Sequence, residues 1–191
     1  ESLKKLQTDY IDLLLVHQPF GDYYGTYRAM EEAYKAGQVR AIGVSNFSPN
    51  RFIDLQYFVE IKPAINQIET HVFYQQKEAK KYLEKYNCQI ESWGPFAEGK
   101  NDFFNTPLLK EIGEKYGKSV AQVALRFLLQ SNVVVIPKSV RKERMQENFD
   151  IFDFELTEDE MKSIEGLDQG STLFHNHQEP ETAERFLSFL S

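Results

Sequence analysis

Along the whole of this chain, short β-rich apolar runs alternate with helical segments, and no other property of the sequence restricts its fold so tightly. The first run, "YIDLLLVH" (10–17), is apolar on both faces, as expected of a strand covered by helices on one side and core on the other. After it, "TYRAMEEAYKAG" (26–37) sets Tyr27, Met30, Ala33 and Tyr34 at helical spacing and ends on Gly37, a helix terminator. "VRAIGVSNF" (39–47), "AINQIETH" (64–71) and "QIESWGPF" (89–96) then read as strands, separated by the helical segments "SPNRFIDLQYFV" and "QKEAKKYLEKYN". Two further helices, "TPLLKEIGEKYG" and "SVAQVALRFLLQS", precede the strand "VVVIPKS" (133–139) and the helix "KERMQENFDIF" (142–152). Ser48-Pro49, and Thr157 with Glu160 three residues later, read as helix N-terminal caps. Alternation of this kind argues for parallel strands joined by right-handed crossovers, and so for an α/β chain of about five strands. The tail after Gly170 lacks the strand pattern and is expected to cross the surface before a short terminal helix.

The chain's 191 residues suit one domain with a sizeable core. A formal charge of −7 opposes a nucleic-acid partner, because binding phosphates needs grouped Lys and Arg. No apolar run approaches the ~18 residues of a spanning helix, so no membrane partner is expected. Nothing at the start of the sequence reads as a secretory leader, and the only cysteine, Cys88, has no internal partner. A cytoplasmic setting is expected.

Chemistry concentrates where each strand ends. In order, the five ends carry His17-Gln18-Pro19, Ser45-Asn46, Asn66-Gln67 with Glu69 and His71, Trp93-Gly94-Pro95, and Lys138-Ser139. The carboxyl ends of parallel strands form the ligand face of barrels and doubly wound sheets. G-x-G-x-x-G is absent, so a Rossmann dinucleotide fingerprint is missing. "GEKYGKS" (113–119) is one residue short of a phosphate loop and follows a helix instead of a strand. His175 and His177 fall short of the three or four ligands of a zinc site, and no metal is expected.

"LLLVHQP", "GQVRAIGVSNF", "INQIE", "WGPF" and "IPKSVRKERMQEN" occur in the order and rough spacing used by the aldo-keto reductase family, which this chain resembles over nearly its full length. The resemblance implies a (β/α)8 barrel that reduces aldehydes or ketones with NADPH and binds that cofactor without a Rossmann motif. It implies that His17 donates a hydrogen bond to the substrate carbonyl oxygen as charge develops there. By the same resemblance Ser45, Asn46 and Gln67 hold the nicotinamide carboxamide, whose donors and acceptors a hydroxyl and two amides can match. Trp93 stands where the family commonly has a tyrosine stacked on the nicotinamide, and an indole face can take that place. Lys138, Ser139, Arg144 and Asn148 match the segment that binds the adenosine half, with Glu147 positioning its neighbours. Arg144 and Lys138 suit the 2′-phosphate that distinguishes NADPH from NADH. A small carbonyl compound is the implied substrate, with Phe20, Trp93 and Phe174 as apolar surface.

The family's proton-donating tyrosine, with its lysine and aspartate, belongs to the first three barrel strands, and none of the ten tyrosines here lies in that motif. The expectation is therefore a partial barrel, strands four to eight, with residues 1–170 binding NADPH and 171–191 forming a substrate-loop tail. The isolated chain is expected to be a truncated, inactive fragment. The alternative is a non-catalytic, cofactor-binding or regulatory partner protein of the same fold. Strands at 11–17 and 133–137 would then be edges without lysine or proline inside "DLLLV" and "VVVI", and such edges recruit partners. The fragment is expected either to form a homo-oligomer that pairs them or to cover them with rearranged terminal segments. Light scattering showing a well-folded 22.3 kDa monomer with cooperative unfolding and no segment packed over residues 11–17 would contradict this.

Overall fold

Each β-rich run becomes a strand: β1 (Ile11–Val16), β2 (Val39–Ser45), β3 (Ile65–Glu69), β4 (Gln89–Trp93) and β5 (Val134–Val135). The helices are α1 (Ser2–Leu6), α2 (Tyr23–Lys35), α3 (Pro49–Phe58), α4 (Lys77–Lys85), α5 (Pro107–Tyr116), α6 (Val120–Gln130), α7 (Lys142–Phe149), α8 (Glu158–Glu165) and α9 (Pro180–Leu187). The computed structural model describes residues 1–190. It divides into two units, one formed by residues 1–68, 78–89 and the chain from 175 onward, the other by 69–77 and 90–174.

In the first unit β1, β2 and β3 pair in parallel, with Leu15 opposite Gly43 and Ser45 opposite Gln67. Glycine is required at 43: a Cβ there would stand 2.5 Å from the Ile65 carbonyl oxygen. Tyr27 and Met30 of α2 enter the core, beside Ile42, Val44, Phe52 and Leu55. Tyr34 does not, being 40% exposed; the buried position on that face is Glu31, whose Oε1 accepts the N–H groups of Glu60 and Ile61, each at 2.8 Å. Both donors lie just past the C-terminal end of α3, outside its hydrogen-bond ladder, and a carboxylate from α2 satisfies them. Cys88 is buried, and burial pushes its thiol up to about 12.

In the second unit β4 pairs in parallel with β5, Glu91 opposite Val134. Leu109 and Ile112 of α5, Val123, Leu125 and Phe127 of α6, and Ile164 of α8 make its core. α7 contributes no buried residue and is held by polar contacts instead. Between β4 and α5 runs a stretch of 3-10 turns, Ala97–Asn105, in which Ala97, Glu98, Asn101 and Asp102 all take left-handed φ of 49–53°. A left-handed non-glycine residue costs roughly 1–2 kcal/mol.

Two strand expectations need correction. The run 133–139 yields a strand of only two residues, because Pro137 has no N–H for a ladder and Ile136 is 47% exposed. β1 is mostly half-buried instead of buried on both faces, since it pairs with β2 alone in its unit. Ser48 occupies the N-cap of α3, but its hydroxyl donates to Asn50 Oδ1 and makes no capping bond. The Thr157–Glu160 cap forms in full: Thr157 Oγ1 accepts the Glu160 N–H and Glu160 Oε2 accepts the Thr157 N–H.

Glu160 also accepts from Tyr116 Oη at 2.7 Å and Lys115 Nζ at 3.3 Å. Burial raises its carboxyl pKa, but the Thr157 N–H, the Tyr116 hydroxyl and Lys115 together hold it below the usual range. A carboxyl with a depressed folded pKa stabilises above its unfolded pKa, and that stability fades as pH falls through the folded value. Glu160→Gln should therefore lower the urea midpoint at pH 7, with the deficit shrinking toward pH 3. An equal deficit at both pH values would contradict the assignment.

Candidate functional site

The first unit gathers polar groups where its three strands end. The Gln67 carbonyl accepts both the Ser45 hydroxyl, at 2.8 Å, and the Asn46 N–H, at 2.9 Å. Ser45 is buried and its hydrogen is committed to that carbonyl, so toward a ligand it presents acceptor lone pairs. Asn46 adopts φ +63°, a conformation asparagine tolerates better than most residues. That turn brings its Nδ2 to the His17 carbonyl at 3.3 Å and to Gln18 Oε1 at 3.4 Å. His177 Nε2 meets the same Gln18 oxygen at 3.1 Å. His17 follows β1 directly and is exposed, so it is not a core histidine, and its ring is open to a ligand oxygen. Asn66 is buried and donates to the Phe47 carbonyl at 2.8 Å; Gln67, one residue on, faces the other side of the strand.

In the second unit Lys138, Ser139, Arg144, Glu147 and Asn148 all line one cavity of about 540 Å³. Phe96 and Phe104 add aromatic surface to its wall. α7, which supplies three of the five residues, is pinned by α6 and the turn before it. Ser119 Oγ donates to the Glu147 carboxylate, and Gln122 Nε2 donates to the carbonyls of Glu147 at 3.2 Å and Asp150 at 2.8 Å. Lys118 pairs with Asp153 at 2.7 Å and Asp150 at 2.9 Å, and those two carboxylates raise its pKa against an opposing effect of burial. Lys118 is thus charge-compensated; among the described residues Lys110, Lys138 and Arg144 are the cavity's other cations, against Glu114 and Glu147. The "GEKYGKS" segment proves to be the end of α5, a left-handed Gly117 and the N-cap of α6.

Trp93 ends β4, half-buried, with its carbonyl accepting the Thr70 N–H at 3.3 Å. Phe174 lies against its indole, ring centroids 5.2 Å apart and planes at 67°. Among the described residues no group of three or more His, Cys, Asp and Glu could hold a metal ion, and no helix is long and apolar enough to cross a membrane. Phe104, Lys110 and Lys118 also line the cavity; neither a strand end nor a family motif marks the first two, and Lys118 lies in the 113–119 segment that reads only as an incomplete phosphate loop.

Parallel strands whose carboxyl ends carry hydroxyl, amide and imidazole groups, and a cationic cavity against a surface helix, define an α/β protein with a polar-ligand face. The profile of the Aldo/keto reductase family matches residues 1–169. The glyoxal reductase of Bacillus subtilis is 45% identical over 180 residues, covering 94% of this chain and 64% of that protein. The crystal structure of MGS-M4, an aldo-keto reductase enzyme from a deep-sea metagenome library, aligns with a TM-score of 0.89 at 41% identity, covering 93% of this chain and 68% of the other. An aldo-keto reductase of Bombyx mori in complex with NADP aligns with a TM-score of 0.85 at 33% identity, covering 93% and 64%. The chain belongs to the aldo/keto reductase family and has that family's type of fold. It spans 64% of the length of the Bacillus subtilis relative.

Proposed function

We propose that this chain takes part in the NADPH-dependent reduction of small aldehydes or ketones to alcohols. The observation that carries this reading is the shared cavity of Lys138, Ser139, Arg144, Glu147 and Asn148. Its excess of uncompensated cations suits the 2′-phosphate, and its aromatic and amide walls suit an adenine ring. In the first unit Ser45 would accept from the carboxamide NH2, with Asn46 and Gln67 completing its polar surround. Trp93 would offer an indole face to the nicotinamide ring. When bound, NADPH supplies the hydride that reaches the carbonyl carbon; His17 donates a hydrogen bond to the carbonyl oxygen as negative charge grows there. The 45% identity to a glyoxal reductase favours small, reactive carbonyl compounds as substrates. The reading also takes in residues 1–170 as the cofactor-binding part of a barrel, strands four to eight, and 171–191 as a substrate-facing tail. A cytoplasmic setting and an oligomer through the open edge of β1 belong to it as well, supported by the single buried Cys88 and by pairing of β1 with β2 alone in its unit.

Fluorescence titration of the 191-residue chain with NADPH and with NADH tests the phosphate assignment. A hydrogen bond to a charged group contributes about 1.5–3 kcal/mol, and the exposure of Arg144 puts it at the lower end, about tenfold in affinity. Arg144→Ala should weaken NADPH binding by that factor and leave NADH unchanged; an unaltered ratio of the two would overturn the assignment.

Turnover tests the second part. No tyrosine here matches the family's proton donor, and positioned acid catalysis contributes about 10²–10⁴-fold. With NADPH, the 191-residue chain should reduce glyoxal at least about 10²-fold more slowly than the Bacillus subtilis glyoxal reductase. A rate within an order of magnitude of that enzyme's would show that another group delivers the proton.

A further inference from the structure

Glu69, the last residue of β3, has no part in the reading above, yet its carboxylate gathers three hydrogen bonds. It is 4% exposed. Oε1 accepts the Leu173 N–H at 2.8 Å and meets His71 Nε2 at 3.1 Å, and Oε2 accepts the Thr172 hydroxyl. The Tyr74 N–H donates to His71 Nδ1 at 3.1 Å, which leaves the ring's proton on Nε2, pointed at Glu69. Three donors thus converge on one buried carboxylate, and two of them belong to a segment more than a hundred positions away in the sequence.

The next residue of that segment is Phe174. The Phe174 N–H donates to Thr172 Oγ1 at 3.0 Å, so the hydroxyl that Glu69 grips also orders the backbone of Phe174. The Phe174 ring meets Trp93 at 5.2 Å and His71 at 6.4 Å, lies under Lys100 Nζ at 5.0 Å, and comes close to Gly94. A perpendicular aromatic pair contributes directional packing beyond its buried area. It fixes a plane only while its partner is itself fixed.

We propose that Glu69 is a positioning residue for Trp93. By hydrogen-bonding Thr172 and Leu173 it holds Phe174 across the indole and so sets the plane that Trp93 presents to a nicotinamide ring. The last clause rests on the NADPH reading; the mechanical coupling of Glu69 to Trp93 does not.

Trp93 is the only tryptophan in the chain, so its emission reports on its own packing without any cofactor. Glu69→Ala, confirmed folded by circular dichroism, should shift Trp93 emission to longer wavelength and increase its quenching by iodide, as should Phe174→Ala. Glu69→Gln should behave as the parent, because its carbonyl oxygen keeps the Leu173 and His71 bonds and its amide can donate to the Thr172 oxygen. Thr172→Val removes one donor from the tail side and should give a smaller shift in the same direction, which keeps the test open if Glu69→Ala does not fold. Unchanged Trp93 emission in folded Glu69→Ala, or, where that variant does not fold, in Thr172→Val, would overturn the proposal, as would a Glu69→Gln variant as disturbed as Glu69→Ala. NADPH titration of the same variants is read separately. Shifted emission with unchanged NADPH affinity would remove the cofactor clause and leave the coupling standing, whereas failure of the parent to bind NADPH would count against the functional reading alone.

Discussion

One carbonyl oxygen, that of Gln67, determines where the polar face of the first unit begins. It accepts from the Ser45 hydroxyl and from the Asn46 N–H, and so ends β2 while keeping Ser45 in register with β3. A slip of one residue would send every side chain to the opposite face of the strand. Asn46 would lose its backbone partner and Gln67 would exchange places with Asn66, whose amide is committed to Phe47. The left-handed turn at Asn46 follows from the same bond, and through it the amide reaches the backbone of His17 and the side chain of Gln18. Three polar strand ends are thereby held in one arrangement by the chain's own hydrogen bonds, and the proposed binding of a carboxamide there would draw on that preorganisation.

The second unit reaches a similar end by different means. α7 buries nothing, so hydrophobic packing cannot hold the helix that carries Arg144, Glu147 and Asn148. Ser119, Gln122 and Lys118 hold it instead, through a carboxylate, two carbonyls and a pair of aspartates. A surface helix pinned by polar contacts leaves its exposed cations available, and a cavity beside it takes its charge from them. The left-handed residues between β4 and α5 lead into Phe104 on the wall of the same cavity. Strain of that kind persists where the surroundings over-determine the backbone, which is common at ligand sites.

Much of this was legible because strand and helix periods are local properties. Helix starts, strand ends and the Thr157 cap depend on residues a few positions apart, and the structure has them near where the pattern put them. Edges were harder to read. Val133 to Ile136 has the composition of a buried strand, but only two residues pair, because a ladder needs a neighbour as well as propensity. Tyr34 fits the apolar face of α2 by spacing and lies exposed, while Glu31 is buried in its place for the sake of two backbone donors at the end of another helix. Of the candidate site, the polar residues at the strand ends can be picked out from the pattern and those of α7 only through the family motif, whereas nothing local marks Phe104 and Lys110 as neighbours of α7.

Glu31, Glu69 and Glu160 show how legibility decays with distance along the chain. All three are buried, and each accepts backbone N–H groups that would otherwise lack a partner. Glu160 serves a donor three residues away, and its pattern can be read from sequence. Glu31 serves donors 29 and 30 residues away, and Glu69 serves one 104 residues away, where no spacing rule applies. A buried carboxylate deprived of its donors costs far more than an apolar residue in its place, so each acid selects the one chain path that supplies them. In a chain of net charge −7, acids used in this way act as fasteners between distant segments. The longest of these spans ties the end of β3 to the segment that packs on Trp93, so the geometry of a candidate site residue depends on a contact that local sequence cannot reveal.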